Sequence, residues 1–169
     1  MQIIHSTITF VLIFITLYSY GFAISNKIYK RKNVDIFFTI LVGYIVVGTI
    51  TLILHFFFKI NNFVSIFFIT SSLIIFYYFC HKIEIKKNLL CIFIILLFSF
   101  FLFGYSDHPI DTNMYHHPYV SYLKSEKIIF AIANIQFRFG HISFLQYVQS
   151  ALTNDYLHEI SLAYINIIF

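Results

Sequence analysis

The chain has 169 residues, 60% of them hydrophobic and 11% charged, whereas an ordinary soluble domain is about one quarter charged. Too few polar side chains remain to cover a water-facing surface, which excludes a soluble globular domain and points to an integral membrane protein. The formal charge of +4 is no case for nucleic acid, because the basic residues sit in short connectors and not in a stripe with stacking aromatics.

Four long apolar segments follow one another, over residues 7–24, 34–58, 63–80 and 89–105. Each is close to the ~20 residues that a helix needs to cross a ~30 Å hydrocarbon core. Ile, Phe and Tyr are also good strand formers. A membrane barrel, however, needs alternating segments of about ten residues, and these runs are longer and apolar on every side. The spacing therefore predicts an all-α, polytopic membrane protein.

The connectors give an orientation. Residues 26–33 carry Lys27, Lys30, Arg31 and Lys32, and residues 81–88 carry Lys82, Lys86 and Lys87, whereas the second connector has only Lys59. The positive-inside rule puts the first and third connectors in the cytoplasm, and hence the N-terminus and the segment after Tyr105 on the outer face. No basic residue precedes the first apolar run, so it does not read as a cleavable signal peptide. Cys80 and Cys91 fall near the cytoplasmic ends of the third and fourth spans, where a reducing compartment disfavours a disulfide, and read as small packing residues.

Residues 106–155 differ in kind. Both prolines and four histidines, His108, His116, His117 and His141, fall here. Asp111 is a possible N-cap for a helix on which Tyr115, Tyr119, Tyr122 and Leu123 share a stripe, with Pro118 starting or kinking it. After Gly140, the residues Phe144, Leu145, Val148, Ala151 and Leu152 form a second stripe, with Gln146, Gln149, Ser150 and Thr153 opposite. Helices of this kind can lie along the membrane interface. From Leu157 the chain turns apolar again. The predicted organisation is a four-helix membrane region over 1–105, an outer loop with two amphipathic helices over 106–155, and the start of a truncated fifth span over 156–169.

The outer loop carries the candidate chemistry. Interfacial anchoring accounts for its tyrosines and for Lys124 and Lys127, but less well for Asp107 and Asp111. An aspartate at the outer face can act as general base toward an acceptor hydroxyl or hold a divalent cation, and no other cofactor is indicated by these residues. An arginine such as Arg138 can clamp a phosphate with two hydrogen bonds. Tyr115 and His116 can position a sugar or phosphate. A histidine metal site is disfavoured, since His116 and His117 are adjacent and no spaced pair of the HExxH kind is present. Within the spans, the polar or small candidates are His55, near the outer end of the second, and Gly43 with Gly48. These glycines are five apart, not a GxxxG pair, and read as places of close helix contact.

The stretches DTNMYHHPYVSYL and ANIQFRFGHIS resemble the first large outer loop of a family of bacterial polytopic membrane proteins similar to the GT-C glycosyltransferase superfamily. The resemblance covers residues 107–153 and rests on Asp111-Thr112, Tyr115-His116, Ala133-Asn134, Arg138, Gly140 and Ser143. Ala131 and Gln136 depart from the Gly and His usual there, and His117-Pro118 is unusual. The resemblance implies transfer of a sugar from a polyprenyl-phosphate donor to an acceptor on the outer face of a bacterial inner membrane. Under it, Asp111, with Asp107 as second choice, is the catalytic acid residue, and Tyr115, His116, Asn134 and Arg138 line the substrate site. A transporter or flippase for lipid-linked glycans, a polymerase component, or an inactive fragment of such a protein are the alternatives.

Overall fold

The computed structural model describes residues 2–29, 35–79, 97, 117–128 and 144–154. All regular structure among them is helical: α1 (Gln2–Tyr29), α2 (Ile36–Phe57), α3 (Asn62–Phe79), α4 (His117–Ser125) and α5 (Phe144–Leu152). The Ile- and Phe-rich runs become helices despite their strand propensity, because in hydrocarbon each segment must satisfy its own backbone N–H and C=O groups.

Three helices are long and apolar enough to cross a membrane: Thr7–Ile28, Ile36–Phe57 and Asn62–Phe79. They correspond to the first three predicted spans, with ends shifted by a few residues, and the protein is membrane-embedded. Helix α1 runs on to Tyr29 because nothing between Ser25 and Tyr29 breaks a helix; its 28 residues rise about 42 Å, more than the hydrocarbon core requires. The predicted fourth span and partial fifth lie outside the described residues, apart from Leu97, whose backbone is helical.

The inward faces are made of small and polar side chains as much as apolar ones. In α2 the buried set is Ile36, Thr39, Ile40, Gly43, Val47, Gly48, Thr51 and His55. Phe37, Phe38, Leu41, Ile45, Ile53, Phe56 and Phe57 face outward. This inversion fits a lipid surround, in which hydrophobicity cannot sort the two faces and close packing must. Gly21 of α1 and Gly43 of α2 let the two backbones touch: a Cβ on Gly21 would run into the Thr39 carbonyl, and one on Gly43 into the Leu17 carbonyl. Helix α1 also binds α3 through hydroxyl pairs, Thr16 with Ser72 at 2.9 Å and Tyr20 with Ser71 at 2.7 Å.

The turn between α2 and α3 is short. The Phe58 amide closes α2 on the Leu54 carbonyl at 2.8 Å, and Asn61 caps α3 by accepting from the Val64 amide at Oδ1 (3.3 Å). Despite that turn, α2 and α3 make few direct contacts: α1 packs on both, and α5 packs on both from another side. Val148, Ala151 and Leu152 of α5 join Phe10, Ile13, Leu17, Val47 and Phe68 in one core cluster.

Helix α5 is thus a wedge inside the bundle and not a helix lying along its surface with one polar face in water. Its supposed polar side is buried, with Gln149 at 1% and Ser150 at 0% exposure. The ring of Phe144 lies against Gly48 of α2. Gly48 precedes the end of α2 at Phe57 by nine residues, or about 14 Å of helix rise, so the first residue of α5 sits well below the end of the span. Gly43 and Gly48 do mark close contacts, as expected, but with different partners, α1 and α5.

Candidate functional site

The C-terminal end of α2 is where α4 and α5 meet the spans. His55 lies in the last turn of α2 and is fully buried. A buried imidazole needs partners for both ring nitrogens. Its Nε2 lies 3.0 Å from the Glu126 main-chain carbonyl oxygen, and its Nδ1 lies 3.0 Å from Tyr147 Oη. A carbonyl can only accept, so Nε2 carries the proton and donates. In the neutral ring Nδ1 is then the acceptor, and the Tyr147 hydroxyl donates to it. Tyr147 is also hydrogen-bonded to Tyr119. Since Tyr147 has spent its only hydrogen on His55, Tyr119 is the donor of that bond. The order of donation is Tyr119 to Tyr147 to His55 to the Glu126 carbonyl.

Aromatic packing closes the cluster. The Tyr122 ring meets His55 edge-on at 6.1 Å and 87°, and the Tyr147 ring does so at 5.5 Å and 66°. Leu123 and Leu52 complete the apolar side. Two main-chain bonds tie the same region: the Ile128 amide donates to the His55 carbonyl at 3.3 Å, and the Ile60 amide to the Leu123 carbonyl at 2.9 Å. The first relieves one of the carbonyls that the end of α2 leaves without an intrahelical donor. Helix α4 forms here because Pro118, its second residue, suits a first turn, where its missing N–H costs no helical bond. Tyr119, Val120 and Leu123 then face inward.

Burial pushes the hydroxyls of Tyr119 and Tyr147 to titrate above the ordinary tyrosine range. Both stay neutral donors at physiological pH. The imidazole has both nitrogens occupied and no open face, so the cluster is a closed hydrogen-bonded clamp and not an acid–base centre open to substrate. Its work is to position α4 and α5 at the C-terminal end of α2.

Helix α5 and the residues just after it add buried polar groups inside the bundle. Asn154 Nδ2 donates to Ser65 Oγ of α3 at 3.2 Å, and Gln146, Gln149 and Ser150 are buried along the helix. Sequence reasoning singled out His55, and the Tyr119–Tyr122–Leu123 stripe, without joining them. It missed Tyr147, whose signal is the demand of a buried imidazole for a second partner. Glu126 enters through its main chain and leaves no side-chain signal at all.

The residues expected to carry chemistry, Asp107, Asp111, Tyr115, His116, Asn134 and Arg138, lie outside the described residues. In the sequence, Asp111 stands six residues before α4 begins and Arg138 six before α5 begins. Among the described residues no group of three or more His, Cys, Asp or Glu side chains is placed to hold a metal ion.

Comparison with curated proteins and with solved structures finds no match. One family matches residues 3–169, nearly the whole chain, and on that evidence the protein belongs to the family described as a domain of unknown function, DUF8201.

Proposed function

We propose that the chain belongs to a GT-C-like membrane glycosyltransferase that moves a sugar from a polyprenyl-phosphate donor to an acceptor on the outer face of a bacterial inner membrane. The supporting observation is the clamp at His55. It fixes α4 and α5, the helices that directly follow the Asp107/Asp111 and Asn134/Arg138 stretches in sequence, onto the ends of the spans. A lipid-linked donor presents its reacting bond at that level. Asp111 then serves as base toward the acceptor or as ligand to a divalent cation, Asp107 is second choice, Arg138 holds the phosphate, and Tyr115, His116 and Asn134 line the sugar site.

A specific observation favours a second reading, in which the protein handles lipid-linked glycans as a transporter or flippase component. Helix α5 is short, sits between two spans and carries buried Gln146, Gln149 and Ser150, and broken polar helices of this kind occur where transporters bind cargo. The two readings part on one experiment with the complete gene product. In the first, Asp111→Asn abolishes incorporation of radiolabelled sugar from a polyprenyl-linked pool into outer-face glycans while the protein stays inserted. In the second, in-vitro transfer between lipid donor and acceptor is absent from wild type and variant alike.

A further inference from the structure

A groove of about 790 Å³ opens beside the clamp, between the α2–α3 turn, the start of α3 and the end of α4. Its floor is apolar, with Leu54 from α2 and Phe63 and Phe67 from α3, and its rim carries Lys59, Glu126 and Lys127. The levels differ. The three charges sit on the connectors, just beyond the ends of the spans at Phe57 and Asn62, whereas Leu54 and Phe67 lie within the spans themselves. Charge at headgroup level over aromatic surface at chain level is the pattern of a lipid molecule.

The rim is held in place by its backbone. Lys59 precedes Ile60, whose amide is bonded to the Leu123 carbonyl at 2.9 Å. The Glu126 carbonyl is held by His55, and the Lys127 carbonyl accepts from Tyr122 Oη at 3.1 Å. All three charged side chains are exposed and project from fixed points, so little backbone ordering is left to binding.

The signs of the rim charges choose the headgroup. Two ammonium groups and one carboxylate complement a group bearing a phosphate and a primary ammonium together. We infer that this groove docks a zwitterionic aminophospholipid, phosphatidylethanolamine, its phosphate between Lys59 and Lys127, its ammonium on Glu126 and a chain along Phe63 and Phe67. A purely anionic headgroup satisfies the lysines but leaves its own oxygens facing the Glu126 carboxylate. A choline headgroup offers no N–H to that carboxylate. The inference is independent of the proposed glycosyl transfer.

The test is titration of delipidated full-length protein in detergent with phosphatidylethanolamine, phosphatidylglycerol and phosphatidylcholine, with bound lipid counted by native mass spectrometry. Wild type is expected to retain phosphatidylethanolamine above the other two. Glu126→Gln should reduce its preference for phosphatidylethanolamine over phosphatidylglycerol by about three- to fivefold, the upper range for a solvent-exposed charge pair. Lys59→Ala with Lys127→Ala should weaken retention of both phospholipids. Glu126→Gln leaves the main-chain carbonyl on His55 untouched, so its unfolding midpoint should match wild type, and it carries the test even where the double lysine variant folds poorly. The inference is overturned by phosphatidylglycerol binding as well as phosphatidylethanolamine on wild type, by an unchanged preference in Glu126→Gln, or by a polyprenyl monophosphate displacing phosphatidylethanolamine from the groove at lower concentration.

Discussion

His55 of α2 and Tyr147 of α5 stand 92 positions apart in the sequence and meet at 3.0 Å between Nδ1 and Oη, both side chains buried. The contact joins a membrane span to α5, and the second nitrogen of the same ring joins the span to the end of α4. Removing the ring leaves the Glu126 carbonyl and the Tyr147 hydroxyl to find new partners. His55→Ala is expected to destabilise the protein by about 2–3 kcal/mol, from the unpaired groups and the lost packing together. In detergent unfolding, a double-mutant cycle with Tyr147→Phe should give a coupling of about 1 kcal/mol, within the range for hydrogen bonds between membrane helices. Additive single effects would show that the two side chains do not act as a pair.

The same cluster sets an alkaline limit. Burial raises the Tyr147 and Tyr119 hydroxyls above their ordinary value, so the folded state holds their protons more tightly than the unfolded state does. The stabilisation is complete below the unfolded pKa of about 10 and is lost as pH rises from there through the folded values. Tyrosinate absorbance should therefore develop in two stages, the exposed tyrosines first and the clamp tyrosines only with unfolding. Tyr147→Phe should lower stability at neutral pH and flatten its decline above pH ~10. A decline as steep as that of wild type would assign the alkaline loss to other groups.

Gly43 and Gly48 respond differently to the same substitution. A methyl on Gly43 meets the main chain of α1 at Leu17, which cannot yield without parting the helices, whereas a methyl on Gly48 meets the Phe144 ring. Gly43→Ala and Gly48→Ala should each cost about 1–3 kcal/mol by overpacking. Phe144→Leu should recover most of the loss in Gly48→Ala and none in Gly43→Ala. Unfolding of the four variants checks this, and rescue of both glycine variants by the same change would contradict the two separate contacts.

The proposed orientation has its own check. Cysteines placed at Lys59 and at Lys30 should react with a membrane-impermeant thiol reagent on opposite sides of the membrane, Lys59 from outside intact cells and Lys30 only after permeabilisation. This follows from the basic residues of the first connector. Labelling of Lys30→Cys in intact cells would invert the topology and remove Asp111 from the outer face.

The three spans could be read from the sequence because crossing a bilayer demands length and apolarity, and both are written locally. The start of α4 could be read from Pro118 and the tyrosine stripe for the same reason. Helix α5 shows where local reading stops. Its Gln146, Gln149 and Ser150 form a polar side that in water would mark the surface, but here they are covered by α2, α3 and α4. Amphipathicity tells how a helix divides its side chains and not what lies against either side. The partners of His55 are beyond sequence spacing too, since one is 92 residues away and the other is a main-chain carbonyl.

The central claim is transfer from a lipid-linked sugar, and the most direct measurement is of the donor pool itself. Membrane lipids would be extracted from cells expressing the complete protein with Asp111 intact or as Asp111→Asn, at equal levels in the membrane, and polyprenyl-linked sugar quantified by mass spectrometry. The account predicts that the sugar-charged lipid accumulates in the variant while outer-face glycan labelling falls. An unchanged donor pool with unchanged glycan labelling would contradict it and leave Asp111 without a catalytic role.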